Sequence, residues 1–155
     1  MIKVNVGVSE KNWKKYIKKP DAYIAKRIKK INDTNIFFKN KIVDFSLMLS
    51  GNNEIKSLNK KFRKKNKTTD ILSFPFYERK ALNTLLKEKK TEIYLGDIII
   101  NLNKMISKTN EKDFLLNFDK IWIHGLAHLF GYRHKSNIDF SIMKKIETKL
   151  IKHSK

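Results

Sequence analysis

The chain is expected to fold as a single α/β (α+β) domain, and three observations carry that expectation. Four short apolar runs, at residues 2–8, 42–49, 70–76 and 93–100, have the composition of strands. Segments with apolar residues three and four apart separate the early runs and fill the chain after residue 101. No repeat, low-complexity tract or linker divides the 155 residues, a length that supports one buried core. Strand–helix alternation followed by helices suggests one sheet layered with helices.

Taken in order, Ile2, Val4, Val6 and Val8 alternate with Lys3, Asn5 and Gly7 as a half-buried first strand. Ser9 is expected to cap a helix carrying Trp13, Tyr16 and Ile17. Pro20 either breaks that segment or starts a second helix containing Tyr23, Ile24, Arg27, Ile28 and Ile31. The second strand, 42–49, is turned by Gly51-Asn52-Asn53, and a basic helix over 54–63 puts Ile55, Leu58 and Phe62 on one face. In the third strand Pro75 cannot donate to a ladder, which places that end at a sheet edge or beyond the last paired residue. The polar, lysine-rich stretch 77–92 reads as a mobile loop or short helix. The fourth strand, 93–100, is interrupted at Gly96-Asp97, and 101–107 continues helically. Asp113 can open a strongly apolar helix that Gly131 stops, and a last helix over 138–151 leaves His153 in a frayed tail with no assigned role.

Lys and Arg number 35 against 15 Asp and Glu, a net charge of +20 and a pI of about 10.0. Such a field favours polyanions, and nucleic acid is the commonest large polyanion in a cell. A blander origin exists: nearly all the cations are lysine, and Asn, Ile and Phe are frequent, as an AT-rich genome produces without selection for binding. In either case the few arginines, Arg27, Arg63, Arg79 and Arg133, stand out, because guanidinium offers a planar fork that ammonium lacks. With no cysteine, disulfides are excluded and any metal site must use histidine and carboxylate. Residues 1–8 lack the apolar core of a signal peptide, and no apolar run is long enough to span a membrane. A cytoplasmic address, no membrane partner and no small-molecule cofactor are expected.

Three of the four histidines fall within one short segment, His124-Gly125-Leu126-Ala127-His128-Leu129-Phe130-Gly131-Tyr132-Arg133-His134. Residues four apart share a helix face, so His124 and His128 can bind one ion together. A turn at Gly131 brings His134 back as a third ligand, and three nitrogens leave a tetrahedral zinc ion one open position, as catalytic sites do. Bound zinc lowers the pKa of its water to about 7. Ordinary core histidines are the competing explanation. It fits poorly, because the surrounding helix is almost wholly apolar and uncompensated imidazoles there cost stability. The spacing also matches the metzincin protease pattern, except that Gly125 stands where those enzymes carry their general-base glutamate. A protease is therefore disfavoured.

The same segment resembles the signature of the YbeY family of bacterial rRNA-maturation endoribonucleases, H-G-x-L-H-L-x-G-Y-D-H, at His124, Gly125, His128, Leu129, Gly131, Tyr132 and His134. Ala127 replaces a leucine, and Arg133 replaces the aspartate beside the third ligand, a carboxylate that could orient a ligand or move protons. Leu58 to Arg63 together with Thr69 to Phe76 is similar to the family's N-x-x-[YF]-R-x-K-x-K-P-T-[DN]-V-L-S-F-P stretch, with Thr68 where proline is usual. Leu95-Gly96-Asp97-Ile98 resembles its L-G-D-I strand, and Met143 and Glu147 match positions on its last helix. The blocks occur in order across 54–150; the N-terminal third matches only in expected layout. The resemblance implies a central four-stranded mixed sheet with helices packed against it. It also implies one zinc ion on the three histidines, and a single-strand-specific endoribonuclease acting in 16S rRNA 3′-end maturation and ribosome quality control. Ribosomal RNA and the small ribosomal subunit are the implied partners, and Arg63 corresponds to the family's functional arginine.

RNA cleavage needs a nucleophile and relief of the charge that builds on phosphorus. Water activated by a metal on the histidines could serve the first need, by attack on phosphorus or by removal of the 2′-hydroxyl proton, and the sequence leaves both open. A guanidinium serves the second by bidentate contact, with Arg63 the candidate. Lys60, Lys61, Lys64, Lys65 and Lys67 could track the backbone, with Asp97 and Arg133 as further cleft candidates, while Phe74 and Phe76 suit packing better than base stacking. A non-enzymatic, ribosome-associated zinc protein is the second reading and a metalloprotease the third.

Overall fold

The apolar runs form strands whose successive side chains point to opposite faces, and both faces of the resulting sheet are packed. A computed structural model describes residues 1–38, 40–89 and 92–155. Its strands are β1 (Ile2–Val8), β2 (Ile42–Ser50), β3 (Ile71–Pro75) and β4 (Glu92–Asn101), and its helices are α1 (Trp13–Tyr16), α2 (Pro20–Asp33), α3 (Asn52–Arg63), α4 (Arg79–Lys87), α5 (Leu102–Lys108), α6 (Phe114–Leu129) and α7 (Asn137–Ser154). The strand order is β1-β2-β4-β3, with β1, β2 and β4 parallel and β3 antiparallel to β4, so the sheet is mixed.

Val43, Phe45, Leu47 and Leu49 of β2 and Ile93, Leu95, Ile98 and Ile100 of β4 point into the main core, which α2 and α6 complete. Leu72, Phe74, Met48 and Ile99 point the other way and pack with Ile55 and Leu58 of α3. Period-two alternation thus assigns α3 and α6 to opposite faces. β3 is an edge strand and Pro75 is its last residue, where a missing N–H is tolerated.

Several boundaries differ from the sequence expectation, while Pro20 and the 77–92 stretch each follow one of the two alternatives it left open. Ser9 caps no helix: its hydroxyl donates to Glu54 Oε2 at 2.5 Å with the Leu49 carbonyl oxygen 3.3 Å away, and α1 begins only at Trp13. Pro20 starts α2 at its first turn rather than breaking it. Gly51-Asn52-Asn53 is not a turn, because extended Gly51 is itself the N-cap and Asn52 and Asn53 open α3. The 77–92 stretch contains a helix, α4, held to the core by buried Leu82 and by Leu85 and Leu86; Lys90 and Thr91 lie outside the described residues. β4 runs unbroken through Gly96-Asp97, with a bulge in its pairing to β2 and Gly96 at φ 132°, where a Cβ would lie 2.1 Å from the Phe74 carbonyl oxygen. Asp113 makes no capping bond. Its own N–H donates to the Asn110 side chain at 2.9 Å in a 3-10 turn (Glu111–Asp113) ahead of α6. The C-terminal tail is helical to Ser154, whose carbonyl accepts from Arg27 Nη1 at 3.2 Å, so His153 does not lie in a frayed end.

The C-terminus of α6 sets up the site. Gly131 N–H donates to the His128 carbonyl at 2.8 Å and Tyr132 N–H to the Ala127 carbonyl at 3.1 Å, the paired bonds of a Schellman stop. Gly131 sits at φ 82°, and a Cβ there would lie 2.6 Å from Arg79 Cβ. Gly131→Ala is expected to cost about 1–2 kcal/mol for the left-handed backbone and about 1–3 kcal/mol more for the overlap. Urea-unfolding midpoints of the two proteins check this.

Candidate metal centre and nucleic-acid cleft

Helix α6 is apolar on nearly every side because it is buried between the sheet and α7, with Phe118, Trp122, Ile123, Leu126 and Leu129 in the core. His124 and His128, one turn apart, are half-buried polar side chains on it. Gly125 lets the helix approach the sheet closely: a Cβ there would stand 2.9 Å from Ile98 Cγ2 and 3.0 Å from Ile71 Cδ1. A glutamate at 125 would start from that apolar contact.

The ring nitrogens are held in defined roles. His124 Nδ1 lies 2.6 Å from Glu147 Oε1 of α7, and His128 Nδ1 lies 3.0 Å from the Tyr132 carbonyl oxygen. A carbonyl can only accept, so His128 carries its proton on Nδ1, and the carboxylate favours the same tautomer for His124. Both Nε2 lone pairs therefore face each other, 3.1 Å apart. Two acceptors at that distance repel unless a cation lies between them. Nitrogens on a tetrahedral zinc, at about 2.0–2.1 Å from the ion, stand about 3.3 Å apart. His134 completes the set, with all three ligand nitrogens within 4.8 Å of one another. The donor set fits an imidazole-binding transition metal, and the orienting carboxylate and carbonyl are what such ligands usually have behind them.

Burial, and next the neighbouring charge of His124, push the His128 pKa from 6.5 down to about 4, so its lone pair is free at neutral pH. In metal-free protein the unfolded chain accepts a proton that the folded imidazole refuses. Stability should therefore fall as pH drops from 6.5 through about 4, and stay unaffected by this group above that window. Urea midpoints of chelator-treated protein at about pH 7 and about pH 5 check the sign, with a smaller gap expected in His128→Asn. Glu147→Ala should weaken metal affinity about 10–100-fold, the usual cost of losing an orienting partner; a chelator-competition titration measures it.

The three histidines line a cleft of about 740 Å³ that also takes in Arg63, Lys65, Lys67, Arg133 and Lys135. Arg63 reaches it from the last turn of α3, with Nη2 donating to the Ser73 carbonyl at 2.7 Å and the guanidinium 5.6 Å from the centre of the Phe74 ring. Asn59, one turn earlier on the same face, lines the cleft too, whereas Lys60 and Lys61 do not. Lys61 is two residues from Arg63 and so cannot share its face; its ammonium sits over Phe62. Lys64 adopts the left-handed cap of α3 and donates to the Lys61 carbonyl, outside the cleft. Asp97 is not brought to the cleft either. Ile98 faces α6, so its neighbour faces away, and the Asp97 carboxylate accepts from the Tyr94 hydroxyl at 2.6 Å. Phe74 packs edge-on against Phe62, and Phe76 is 66% exposed beside Tyr77 and Tyr94.

The remaining arginines divide by role. Arg27 ties α2 to α6 through buried Asp119, with Nη2 3.1 Å from its carboxylate. Arg79 braces the loop carrying His134: it lies 3.9 Å over the Tyr132 ring and donates to the Phe130 carbonyl at 3.3 Å. Arg133 sits exposed on the cleft wall, 3.8 Å from Glu78. Among the described residues no carboxylate pairs with His134 in place of the family's aspartate, and His134 has no hydrogen-bond partner. Sequence reasoning did not find the Glu147–His124 bond, whose only signal was the carboxylate's place on the last helix.

A family model described as Endoribonuclease YbeY matches residues 7–155. The protein so named from Pelagibacter ubique (strain HTCC1062) is 39% identical over 157 residues, covering 100% of this chain and 97% of that one. Its counterpart from Ehrlichia canis (strain Jake) is 34% identical over 151 residues, covering 96% and 90%. The matches take in the sheet, the arginine-bearing helix and the histidine helix together, and by them the chain belongs to the endoribonuclease YbeY family.

Proposed function

We propose that this protein is a metal-dependent endoribonuclease that cuts single-stranded RNA, holding one zinc ion through His124, His128 and His134. The observation that carries the reading is the convergence of three oriented imidazoles with Arg63 and uncompensated lysines on one open cleft. A bound zinc ion would supply Lewis acidity and a water activated near neutral pH. Arg63 has one nitrogen committed to the Ser73 carbonyl, which fixes the plane of the fork and leaves its other donors for a phosphate. Lys65, Lys67 and Lys135 line the same cleft, and none is in an ion pair among the described residues, so they are available to follow a backbone. The net charge of +20 favours a large RNA. With the family, this supports ribosomal RNA and the small ribosomal subunit as partners, in 16S rRNA 3′-end maturation and ribosome quality control.

The alternatives fit less well. A purely structural zinc site is closed by four protein ligands, whereas here three candidate ligands, among the described residues, face an open cleft. A protease lacks its base at Gly125, a position packed against Ile98 and Ile71. Incubation with labelled single-stranded RNA and with casein, each with and without chelator, tests the reading. RNA cut only without chelator and casein left intact is the expected result; cut casein, or intact RNA under both conditions, would contradict it.

A further inference from the structure

An enzyme that cuts within a strand must let the chain continue past the scissile bond in both directions, so its site needs two open arms. The 740 Å³ cleft is one arm. A second cavity of about 430 Å³ lies between α5 and α6 and meets the first at Asp70, Ile71 and His124, all of which line both. Lys104 and Lys108 of α5 and Lys120 of α6 line this second groove. Lys108 is held by Asp70, its Nζ 3.1 Å from Oδ2, and this ion pair holds the Asp70 carboxyl below its ordinary pKa although burial opposes the shift. Glu147 is occupied by His124 and faces Lys144 at 3.7 Å. Lys104 and Lys120 have no ion-pair partner among the described residues, so the groove retains uncompensated positive charge.

Resting on the endoribonuclease reading, we infer that the groove between α5 and α6 is the second arm of the substrate path, in which Lys104 and Lys120 contact phosphates of the single-stranded RNA on one side of the scissile bond. Arg63, Lys65 and Lys67 line only the wider cleft and serve the other side. Polar groups for a sugar–phosphate chain are present, with Thr109 and Asn117 lining the groove beside the lysines, while Ile71, Met105 and Ile121 are its apolar lining. Neutralising groups that touch phosphate releases fewer counterions on binding, and each lost contact lowers the salt slope by about 0.7 for a single strand.

The test is a salt titration of binding to a single-stranded RNA of about 20 nucleotides, using metal-loaded wild type, Lys104→Gln/Lys120→Gln, and a control of equal charge, Lys14→Gln/Lys18→Gln, whose residues line neither cavity. The groove variant is expected to lose about 1.4 from the slope, to keep its full metal content, and to bind an oligonucleotide too short for both arms as wild type does. The control should keep the wild-type slope. If the two variants lose slope equally, or neither does, RNA does not enter the groove. Wild type that binds and cuts RNA while the groove variant matches the control overturns the groove alone. Wild type with neither binding nor cleavage overturns the endoribonuclease reading, and this inference with it.

Discussion

Single-turnover cleavage of RNA by Arg63→Lys is expected to be about 100- to 1,000-fold slower than by wild type, the range seen when one preorganised donor to a developing oxyanion is removed. The substitution keeps the charge and discards the fork. Arg63 can bond the Ser73 carbonyl and present its remaining nitrogens to a phosphate in one plane, and an ammonium cannot do both. RNA affinity should fall only slightly, because one charge among many is conserved. Metal content and thermal stability should stay near wild type, since Arg63 is exposed and touches none of the three histidines by hydrogen bond. A filter-binding titration on the same RNA separates the effects. Equal turnover would make Arg63 one more basic group on a docking face, and lost metal would assign it a structural role.

The second large effect concerns the ion itself. Wild type should carry close to one zinc per chain, and His128→Ala should carry almost none, with cleavage falling to background. Two neutral imidazoles rarely hold zinc against solvent. His128 is the most telling of the three, because its lone pair is aimed by a backbone carbonyl and its proton affinity is suppressed by burial. Metal analysis of the purified variants measures this directly, and a full complement in a His124→Ala/His128→Ala double variant would rule the histidines out as ligands.

Much of this was legible in the sequence because it is local. A spacing of four from His124 to His128 puts them on one helix face, and Gly131 marked the turn that returns His134; neither needs knowledge of the fold. The strands were legible for the same reason, since the apolar composition of each run is read within the run itself. Errors came where a side chain answers to a distant partner. Ser9 has the look of a cap but spends its hydroxyl on β2 and Glu54. Gly51-Asn52-Asn53 has the composition of a turn, yet Asn103, some fifty residues on, accepts from the Asn52 N–H at 3.1 Å at the start of α3. Glu147 reaches His124 across 23 residues, which spacing cannot reveal. Asp97 is a different case: its parity with Ile98 along β4 turns it away from α6, and its carboxylate beside the strand glycine accepts from Tyr94 instead of reaching the cleft.

A circular single-stranded RNA offers the most direct test of the central claim, because a molecule without ends can be opened only by internal cleavage. Metal-loaded wild type should convert the circle to linear product. Chelator-treated protein and His128→Ala should leave it closed, and adding zinc back to the chelated wild type should restore cutting. A circle that stays intact with fully loaded protein, or that opens equally well with chelator present, would contradict the account.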